Sequence, residues 1–352
     1  MGTSSKKRLT EIFLQGSPFE IGEQHGRLLK EDISSFLNDN LAQINLLRHT
    51  PLKGPLRDIV EPYKEAISLY CPDIMRELEG LSKGAGITID QAVLLQIRRE
   101  LIGVGGFTLS GDCSSFSQYT TDGPIMGQTI DLNGNMTHLG NVFRIRPQNS
   151  QLPEILMYSF SGLLGYMGMN SSGLSVTINL VVSEGWTPGI PPYLIARAFL
   201  GCRSIEECLL LLETIPRASS RSFIISDYRR QVIVEFTTSM VRVIEGKFLA
   251  HSNHYLHPEL QQFDRMNIFS RNSSIKRLAL LEKSLNNDGI TLAAVSDVFA
   301  DHSLYPVGVC AHNESNIHLN ETVASVIMYP LKGVLWALKG KPCECNYQEF
   351  KL

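Results

Sequence analysis

The residue with the strongest chemical signal is Cys113, in the segment GDCSSF at residues 111–116. A β-hairpin is predicted after it, because two strand-like runs, 116–121 and 125–132, flank an Asp122-Gly123 turn signal. A cysteine at the first position of a strand becomes an N-terminal nucleophile if the chain is cut just before it. Its freed α-amine, with an ordinary pKa of about 7.7–8.0, then lies within reach of the same thiol as a base.

The sequence around this residue bears on that chemistry in two ways. The chain has seven cysteines, and a free cysteine is most often a small buried hydrophobic side chain, so position alone does not make Cys113 catalytic. Directly before it, residues 103–111 (GVGGFTLSG) are rich in glycine, which predicts the backbone freedom that a scissile segment needs. The hypothesis is cleavage between Asp112 and Cys113, which gives chains 1–112 and 113–352.

The composition is that of an ordinary globular protein. The chain has 352 residues, of which 43% are hydrophobic and 19% charged, and a formal net charge of -3. Nucleic-acid binding has little support, because the sequence has no basic block. The N-terminus lacks the apolar region of a secretory signal, and no run approaches the roughly 18 apolar residues of a membrane span. With an odd number of scattered cysteines, we expect a cytoplasmic protein with reduced thiols.

Helical patterns dominate the first third of the chain. Residues 17–20 (SPFE) form a capping box with proline at the first helical position. The helix that follows carries Gly22 and Gly26 four residues apart, which predicts close packing against another element. A second helix is predicted over about 72–82, and another capping box opens a third over about 88–101.

From residue 113 onward the pattern changes to strands separated by turns. Strands are predicted at 114–121, 125–132, 141–147, 154–160, 174–182, 221–227, 231–238, 241–250, 323–329 and 333–339. Helices are predicted at 192–214, 273–286 and 291–300. Helical stretches flanked by two runs of antiparallel strands indicate an α+β layered domain, with sheets stacked face to face and helices outside.

Several short segments, in order along nearly the whole chain, carry a family resemblance. They are residues 16–22 with 24–26, 112–116, 127–131, 168–174, 252–255 and 330–336. Together they resemble the acyl-coenzyme A:isopenicillin N acyltransferase family of N-terminal-nucleophile (Ntn) hydrolases, which are related to choloylglycine hydrolase and penicillin V acylase. The resemblance implies a four-layer αββα sandwich with two stacked antiparallel sheets, formed by a single domain over 1–352.

The resemblance also assigns roles to individual residues. Cys113 matches the nucleophile, and Asp131, eighteen residues on, matches a carboxylate that orients the amine and the substrate. An isolated aspartate at a strand end is more commonly a turn cap. Asn253 matches the side-chain donor to the oxyanion of the tetrahedral intermediate, although asparagine is also common in turns. Asn179 resembles a second polar contact of the bile-acid-hydrolase relatives, and a purely structural role for it stays open.

The resemblance extends to a site arginine. Residues 273–277 (SSIKR) match the Ser-Ser-x-x-Arg of the relatives, whose arginine lies by the nucleophile, so Arg277 is assigned that place. A guanidinium there favours the thiolate. Arg271 is a rival nearby, and a solvated helix charge is the alternative. The chain departs from the isopenicillin branch at Asp112, where glycine is usual, and this carboxylate either assists or impedes self-cleavage.

Two other chemistries have weaker support. A papain-like Cys-His-Asn enzyme would draw on one of the nine histidines, none of which lies in a local signature for that class. A metal site would use His251 with His254, or Cys343 with Cys345. Neither pair has the spacing of a zinc site, so we expect no metal.

The function expected from these residues is that of an autoproteolytic cysteine amidohydrolase or acyltransferase. It acts on a linear amide or an acyl thioester through a Cys113 acyl-enzyme. No cofactor is expected, and acyl-coenzyme A is a donor substrate if the enzyme is a transferase. The expected partners are a small-molecule substrate and, for each processed chain, the other one. The alternative is a silent or unprocessed scaffold of the same fold that binds an acyl ligand or partner.

Overall fold

Two β-sheets face each other in the computed structural model of the protein, which describes residues 8–39, 56–104, 113–132, 134–314 and 320–352. The strands, in chain order, are β1 Glu11–Gly16, β2 Ser114–Thr120, β3 Gly123–Leu132, β4 Gly140–Pro147, β5 Ile155–Phe160, β6 Met167–Asn170, β7 Ser175–Asn179, β8 Arg221–Ser226, β9 Gln231–Phe236, β10 Val241–Glu245, β11 Phe248–His251, β12 Glu321–Tyr329, β13 Val334–Lys339 and β14 Gln348–Lys351. One sheet has the order β1-β4-β5-β6-β7-β8-β9-β10, and the other β11-β2-β3-β12-β13-β14.

Helices cover the outer faces of this pair of sheets. In chain order they are α1 Pro18–Leu28, α2 Lys30–Leu37, α3 Leu56–Tyr70, α4 Pro72–Ala85, α5 Ile89–Val104, α6 Pro192–Phe199, α7 Ile205–Thr214, α8 Pro258–Gln261, α9 Ile268–Leu285 and α10 Leu292–Phe299. The N-terminal helix α1 contacts β1 and β4 of the larger sheet, whereas α9 and α10 contact β2, β11 and β12 of the smaller one. The α+β sandwich with four αββα layers is therefore confirmed.

The inner faces of the sheets meet through buried side chains, both apolar and polar. Gln128 on β3 donates from Nε2 to the carbonyl of Ile178 on β7 at 2.6 Å and accepts that residue's N–H at 2.9 Å. A single apolar core contains side chains from the N-terminal helices and from both sheets, among them Ile21 in α1 and Val326 in β12. The N-terminal helices thus share their core with the sheets, so that segments before and after Cys113 bury each other's apolar surface.

The close packing predicted for the first helix is confirmed. Ser17 caps α1 reciprocally with Glu20, as the capping box requires. A Cβ atom added to Gly22 would lie 1.9 Å from the carbonyl oxygen of Glu77, and one added to Gly26 would lie 2.4 Å from that of Leu81. The two glycines therefore let α1 approach the backbone of α4 at distances that no other residue type permits.

The two stacked sheets are antiparallel, as predicted, except at one edge. Strand β1, which the sequence reasoning did not identify, pairs parallel with β4. The predicted strand 241–250 is two strands in different sheets, because the chain turns at Gly246 and crosses from β10 to β11. Local alternation identifies strand-forming residues and carries no information about which sheet they join.

The predicted helix 192–214 is also interrupted. The structure ends α6 at Phe199 and begins α7 at Ile205, with Ser204 as the N-cap whose side chain accepts the N–H of Glu207. Apolar periodicity on both sides of Gly201 hides this break.

Within the described ranges, no helix combines the length and the apolar character that crossing a membrane requires.

Candidate active site

Cys113 lies immediately before β2 and is 5% exposed. The β2–β3 hairpin pairs Ser114 with Thr129, so the backbone register carries Asp131 past the start of β2. The backbone N–H of Asp131 forms a hydrogen bond with the Cys113 sulfur. The eighteen-residue spacing in the sequence is thus the length of one hairpin, which brings a carboxylate beside the thiol.

Two side chains hold the carbonyl oxygen of Cys113. Arg277 donates to it from Nη1 at 2.7 Å, and Asn179 donates from Nδ2 at 3.3 Å. Asn179 ends β7 on the facing sheet, and the Ser115 hydroxyl donates to its Oδ1 at 2.5 Å. This hydroxyl fixes the orientation of the amide, so that its NH₂ group points to Cys113.

Arg277 is fully buried in α9 and connects several parts of the site. Besides Cys113, its Nη1 donates to Ser114 Oγ at 2.9 Å, and its Nη2 donates to Asn253 Oδ1 at 2.9 Å. Its Nε donates to Ser273 Oγ, one turn earlier on the helix, at 3.2 Å. The rival Arg271 lies away from this cluster, with Nε 3.6 Å from Asp264 Oδ2 and a side chain that is 44% exposed.

Asn253 follows β11 and is fully buried. Its Oδ1 accepts from Arg277, and its Nδ2 donates to the carbonyl of Leu180 at 3.0 Å. Its backbone N–H donates to Ser274 Oγ at 2.7 Å. The arginine therefore orients the amide so that NH₂ is the donor end, which is the orientation that an oxyanion donor needs.

Sequence reasoning missed the residue that holds the Asp131 carboxylate. Thr322 on β12 donates from Oγ1 to Asp131 Oδ1 at 2.6 Å. The same hydroxyl accepts the backbone N–H of Ala311 at 2.8 Å. No local pattern marks this threonine, because β12 pairs with β3 across 191 residues of sequence.

A second missed group interacts electrostatically with the thiol. Arg99 in α5 hydrogen-bonds with Tyr193, and Tyr193 stacks on Tyr166 with ring centroids 5.3 Å apart. The charge of Arg99 acts on the thiol of Cys113. Here a signal was available, since Arg98 and Arg99 directly follow the largely apolar stretch 92–97 of a predicted helix.

The electrostatic environment keeps the Cys113 thiol protonated. Burial raises the pKa of the thiol to about 11, and the negative charge of Asp131 adds to the increase. The Asp131 N–H, Arg99 and Arg277 act in the opposite direction and are outweighed. Arg277 thus favours the thiolate, as the sequence suggested, but it does not by itself ionise the thiol.

Other residues singled out in the sequence lie elsewhere. Asp112 and residues 105–111 are outside the described residues. His251 Nε2 lies 2.8 Å from Glu235 Oε1, whereas His254 Nδ1 lies 2.7 Å from Ser274 Oγ. The two imidazoles therefore bond to different partners and do not form a site together.

The sequence matches a family of known proteins over more than half of its length. Residues 119–343 match the model of the family described as acyl-coenzyme A:6-aminopenicillanic acid acyl-transferase. A buried cysteine at the head of an inner strand of an αββα sandwich is the arrangement expected for an Ntn hydrolase. The chain belongs to the acyl-coenzyme A:6-aminopenicillanic acid acyl-transferase family.

Individual relatives are distant. The chain is 23% identical over 328 residues to the acyl-coenzyme A:6-aminopenicillanic-acid-acyltransferase 40 kDa form of Emericella nidulans, covering 91% of this chain and 89% of that protein. Among solved structures, penicillin V acylase from Agrobacterium tumefaciens is 14% identical, with a TM-score of 0.49 over 68% of this chain and 86% of its own. A mutant conjugated bile acid hydrolase from Clostridium perfringens is 14% identical, with a TM-score of 0.41 over 68% and 97%.

Proposed function

We propose that the protein is a self-cleaving cysteine amidohydrolase or acyltransferase whose nucleophile is Cys113. The precursor is cut between Asp112 and Cys113, and chains 1–112 and 113–352 stay associated. The support for association is the apolar core that the N-terminal helices share with both sheets. The enzyme acts on a linear amide or an acyl thioester, and no cofactor takes part.

The observation that carries this proposal is the clamp on the Cys113 carbonyl. Arg277 and Asn179, from a helix and from the facing sheet, both donate to that one backbone oxygen. Such a clamp holds the residue in place when the peptide bond before it is gone. An ordinary core cysteine at the head of a strand has no need of a buried arginine on its carbonyl.

Self-cleavage in this proposal begins with the thiol of Cys113. The sulfur attacks the carbonyl carbon of Asp112, and the C–N bond to Cys113 breaks as its nitrogen takes a proton. The chain is then joined through a thioester. Water hydrolyses the thioester, which releases the carboxylate of chain 1–112, the free thiol and an α-amine on Cys113. The Asp112 carboxylate, on the residue that carries the scissile carbonyl, either assists or impedes this step.

The mature enzyme uses the α-amine as the base that the thiol needs. The amine accepts the thiol proton as the sulfur attacks the substrate carbonyl, and Asp131 orients the amine. The second N–H of Asn253 Nδ2, together with a backbone N–H, donates to the oxyanion. The ammonium returns its proton to the leaving amine, or to the leaving thiolate of a thioester. Water or a second amine then takes the acyl group.

The expected substrate class rests on the family and on the side chains near the thiol. The family model and the curated relative are both described as acyl-coenzyme A:6-aminopenicillanic-acid acyltransferases. In this chain Arg99 hydrogen-bonds with Tyr193, which stacks on Tyr166, and the charge of Arg99 acts on the Cys113 thiol. A cation and aromatic rings near the thiol favour an acyl amide that carries both an apolar part and an anionic group. Acyl-coenzyme A is the donor when the acceptor is an amine.

The test is denaturing mass spectrometry of freshly purified protein beside two variants. The wild-type chain is expected to give two species, one ending at Asp112 and one beginning at Cys113. Cys113→Ala is expected to stay intact and to turn over no acyl amide. Cys208→Ala is the matched control, because Cys208 is fully buried and lies apart from the site, and it is expected to cleave normally.

Two results would overturn the proposal. A wild-type chain that remains intact over days at neutral pH would identify a silent scaffold. Turnover retained by Cys113→Ala would place the nucleophile elsewhere. If cleavage is seen, a panel of acyl amides with and without an added amine acceptor separates hydrolysis from acyl transfer.

A further inference from the structure

Four side chains that belong to no motif converge near the C-terminal end of the chain. They are His302, Cys310, His312 and Cys343, and one ligand atom of each lies within 4.8 Å of those of the other three. The sequence reasoning considered Cys343 only with Cys345, and expected no metal. Cys345 is not among the four.

Four of the six separations between the ligand atoms fit a tetrahedron. Cys310 Sγ lies 3.6 Å from Cys343 Sγ, and each of the two sulfurs lies 3.6 Å from His312 Nε2. His302 Nε2 lies 3.1 Å from His312 Nε2. A zinc ion about 2.3 Å from sulfur and about 2.0–2.1 Å from nitrogen sets tetrahedral edges of about 3.8 Å (S–S), about 3.6 Å (S–N) and about 3.3 Å (N–N).

The fold holds the ligands on two segments that are distant in sequence. Three come from the segment 301–314 after α10, and Cys343 comes from the turn after β13. The backbone N–H of His312 donates to the carbonyl of Pro306 at 2.8 Å, and the rings of His302 and His312 pack edge to face, 4.9 Å apart. These contacts fix the segment in the shape that presents all three ligands to Cys343.

Burial and charge agree with a metal ion. Cys310 is buried and His312 half-buried, whereas His302 and Cys343 are exposed, so an ion can enter from solvent. Two thiolates and two neutral imidazoles around a divalent cation leave a complex with no net charge. Two cysteines with two histidines form one of the ligand sets of structural zinc sites, and these soft and borderline donors select against magnesium and calcium.

We propose that His302, Cys310, His312 and Cys343 bind one zinc ion in a closed structural site. The ion ties the segment 301–314 to the turn after β13. Each thiol loses its proton to solvent when the ion binds, and no redox step is involved. A Cys310–Cys343 disulfide is the competing arrangement, but it gives the two converging imidazole nitrogens no common partner.

The experiment measures metal on the whole protein in the Cys113→Ala background, so that the nucleophile does not contribute a thiolate. Elemental analysis after purification with a thiol reductant is expected to give one zinc per chain. Cobalt(II) added after chelation is expected to give the strong visible bands of a tetrahedral site and the ultraviolet thiolate-to-cobalt band. Neither readout depends on the activity of the enzyme.

Variants of the two exposed ligands test the assignment with the least risk to folding. Cys343→Ser and His302→Asn are each expected to weaken zinc binding by more than the roughly 10–100-fold that loss of an outer-shell partner costs. Cys345→Ser is the matched control, a neighbouring thiol that should leave the metal content and cobalt spectrum unchanged. The circular dichroism spectrum of each variant reports whether it is folded.

Three outcomes would overturn the proposal. One is a reduced, folded chain that binds no stoichiometric zinc or cobalt. Another is a Cys310–Cys343 disulfide in protein that has been purified without any chelator. The third is a Cys345→Ser variant that loses as much metal as Cys343→Ser.

Discussion

Replacing Thr322 with valine isolates the hydrogen bonds that hold the Asp131 carboxylate. The Thr322 hydroxyl donates to Asp131 Oδ1 at 2.6 Å and accepts the Ala311 N–H at 2.8 Å. Valine has nearly the same shape and no hydroxyl, so Thr322→Val removes both hydrogen bonds. The backbone bond from Thr322 N–H to the Ala311 carbonyl, 3.0 Å, is kept. Thr322→Ser is the matched control, which keeps the hydroxyl and removes only the methyl group.

The expected magnitude follows from the type of each bond, since Thr322 is 1% exposed and little water reaches it. A hydrogen bond to a charged group contributes about 1.5–3 kcal/mol and one between neutral groups about 0.5–1.5 kcal/mol. Thr322→Val should therefore lower the free energy of unfolding by about 2–4.5 kcal/mol. Thr322→Ser should lower the free energy of unfolding by about 0.8 kcal/mol, because it removes one buried methyl group.

The assay is urea unfolding in the Cys113→Ala background, where the chain is expected to stay in one piece. Equal m-values between variants make the change in midpoint a change in stability. With Cys113 present, Thr322→Val is expected to lower kcat with little change in KM, because Asp131 loses its orientation. If Thr322→Val and Thr322→Ser lower the free energy of unfolding by the same amount, the hydroxyl contributes nothing and the reasoning is refuted.

Two further predictions concern an oxyanion donor and a buried histidine. Asn253→Ala should lower kcat by about 10²–10³-fold with KM nearly unchanged, and a rise in KM alone would contradict the oxyanion role. Burial lowers the pKa of His25, which accepts the Gly162 N–H at 3.0 Å, to about 3. The contribution of neutral His25 to the free energy of unfolding should therefore be complete above about pH 6.5. Below that, the free energy of unfolding should fall by about 1.4 kcal/mol per pH unit towards pH 3. His25→Gln should flatten that fall in urea unfolding, and parallel curves for the two proteins would refute it.

The parts of the site that the sequence predicted are those set by local geometry or by a linear motif. The hairpin signal was enough to bring Asp131 back towards Cys113, because an antiparallel register is fixed by the position of its turn. The segment Ser-Ser-x-x-Arg gave the place of Arg277, and the structure shows a reason for its first serine. Ser273 Oγ accepts from Arg277 Nε and anchors it one turn along the helix.

The parts that could not be predicted depend on which strands become neighbours. Thr322 reaches Asp131 only because β12 pairs with β3, and nothing in a local window reports that pairing. The separation of His302 from Cys343 hid the four-ligand cluster in the same way, because its members come from a loop and a distant turn. The parallel edge strand Glu11–Gly16 was missed because the apolar Phe13 lies on its exposed face and hides the alternation of buried and exposed residues.

In the proposed mechanism, the protonated thiol makes cleavage and activation a single event. Burial and the Asp131 carboxylate raise the pKa of Cys113 to about 11, so near pH 7 only about 10⁻⁴ of the thiols would be ionised in the uncut chain. Cleavage after Asp112 would create a base on the same residue as the nucleophile. Arg277 and Asn179 already hold the carbonyl of that residue, so the new amine would face the sulfur without rearrangement of any other group. The same two donors would then serve the precursor and the mature enzyme, which accounts for a buried arginine that contacts a backbone oxygen.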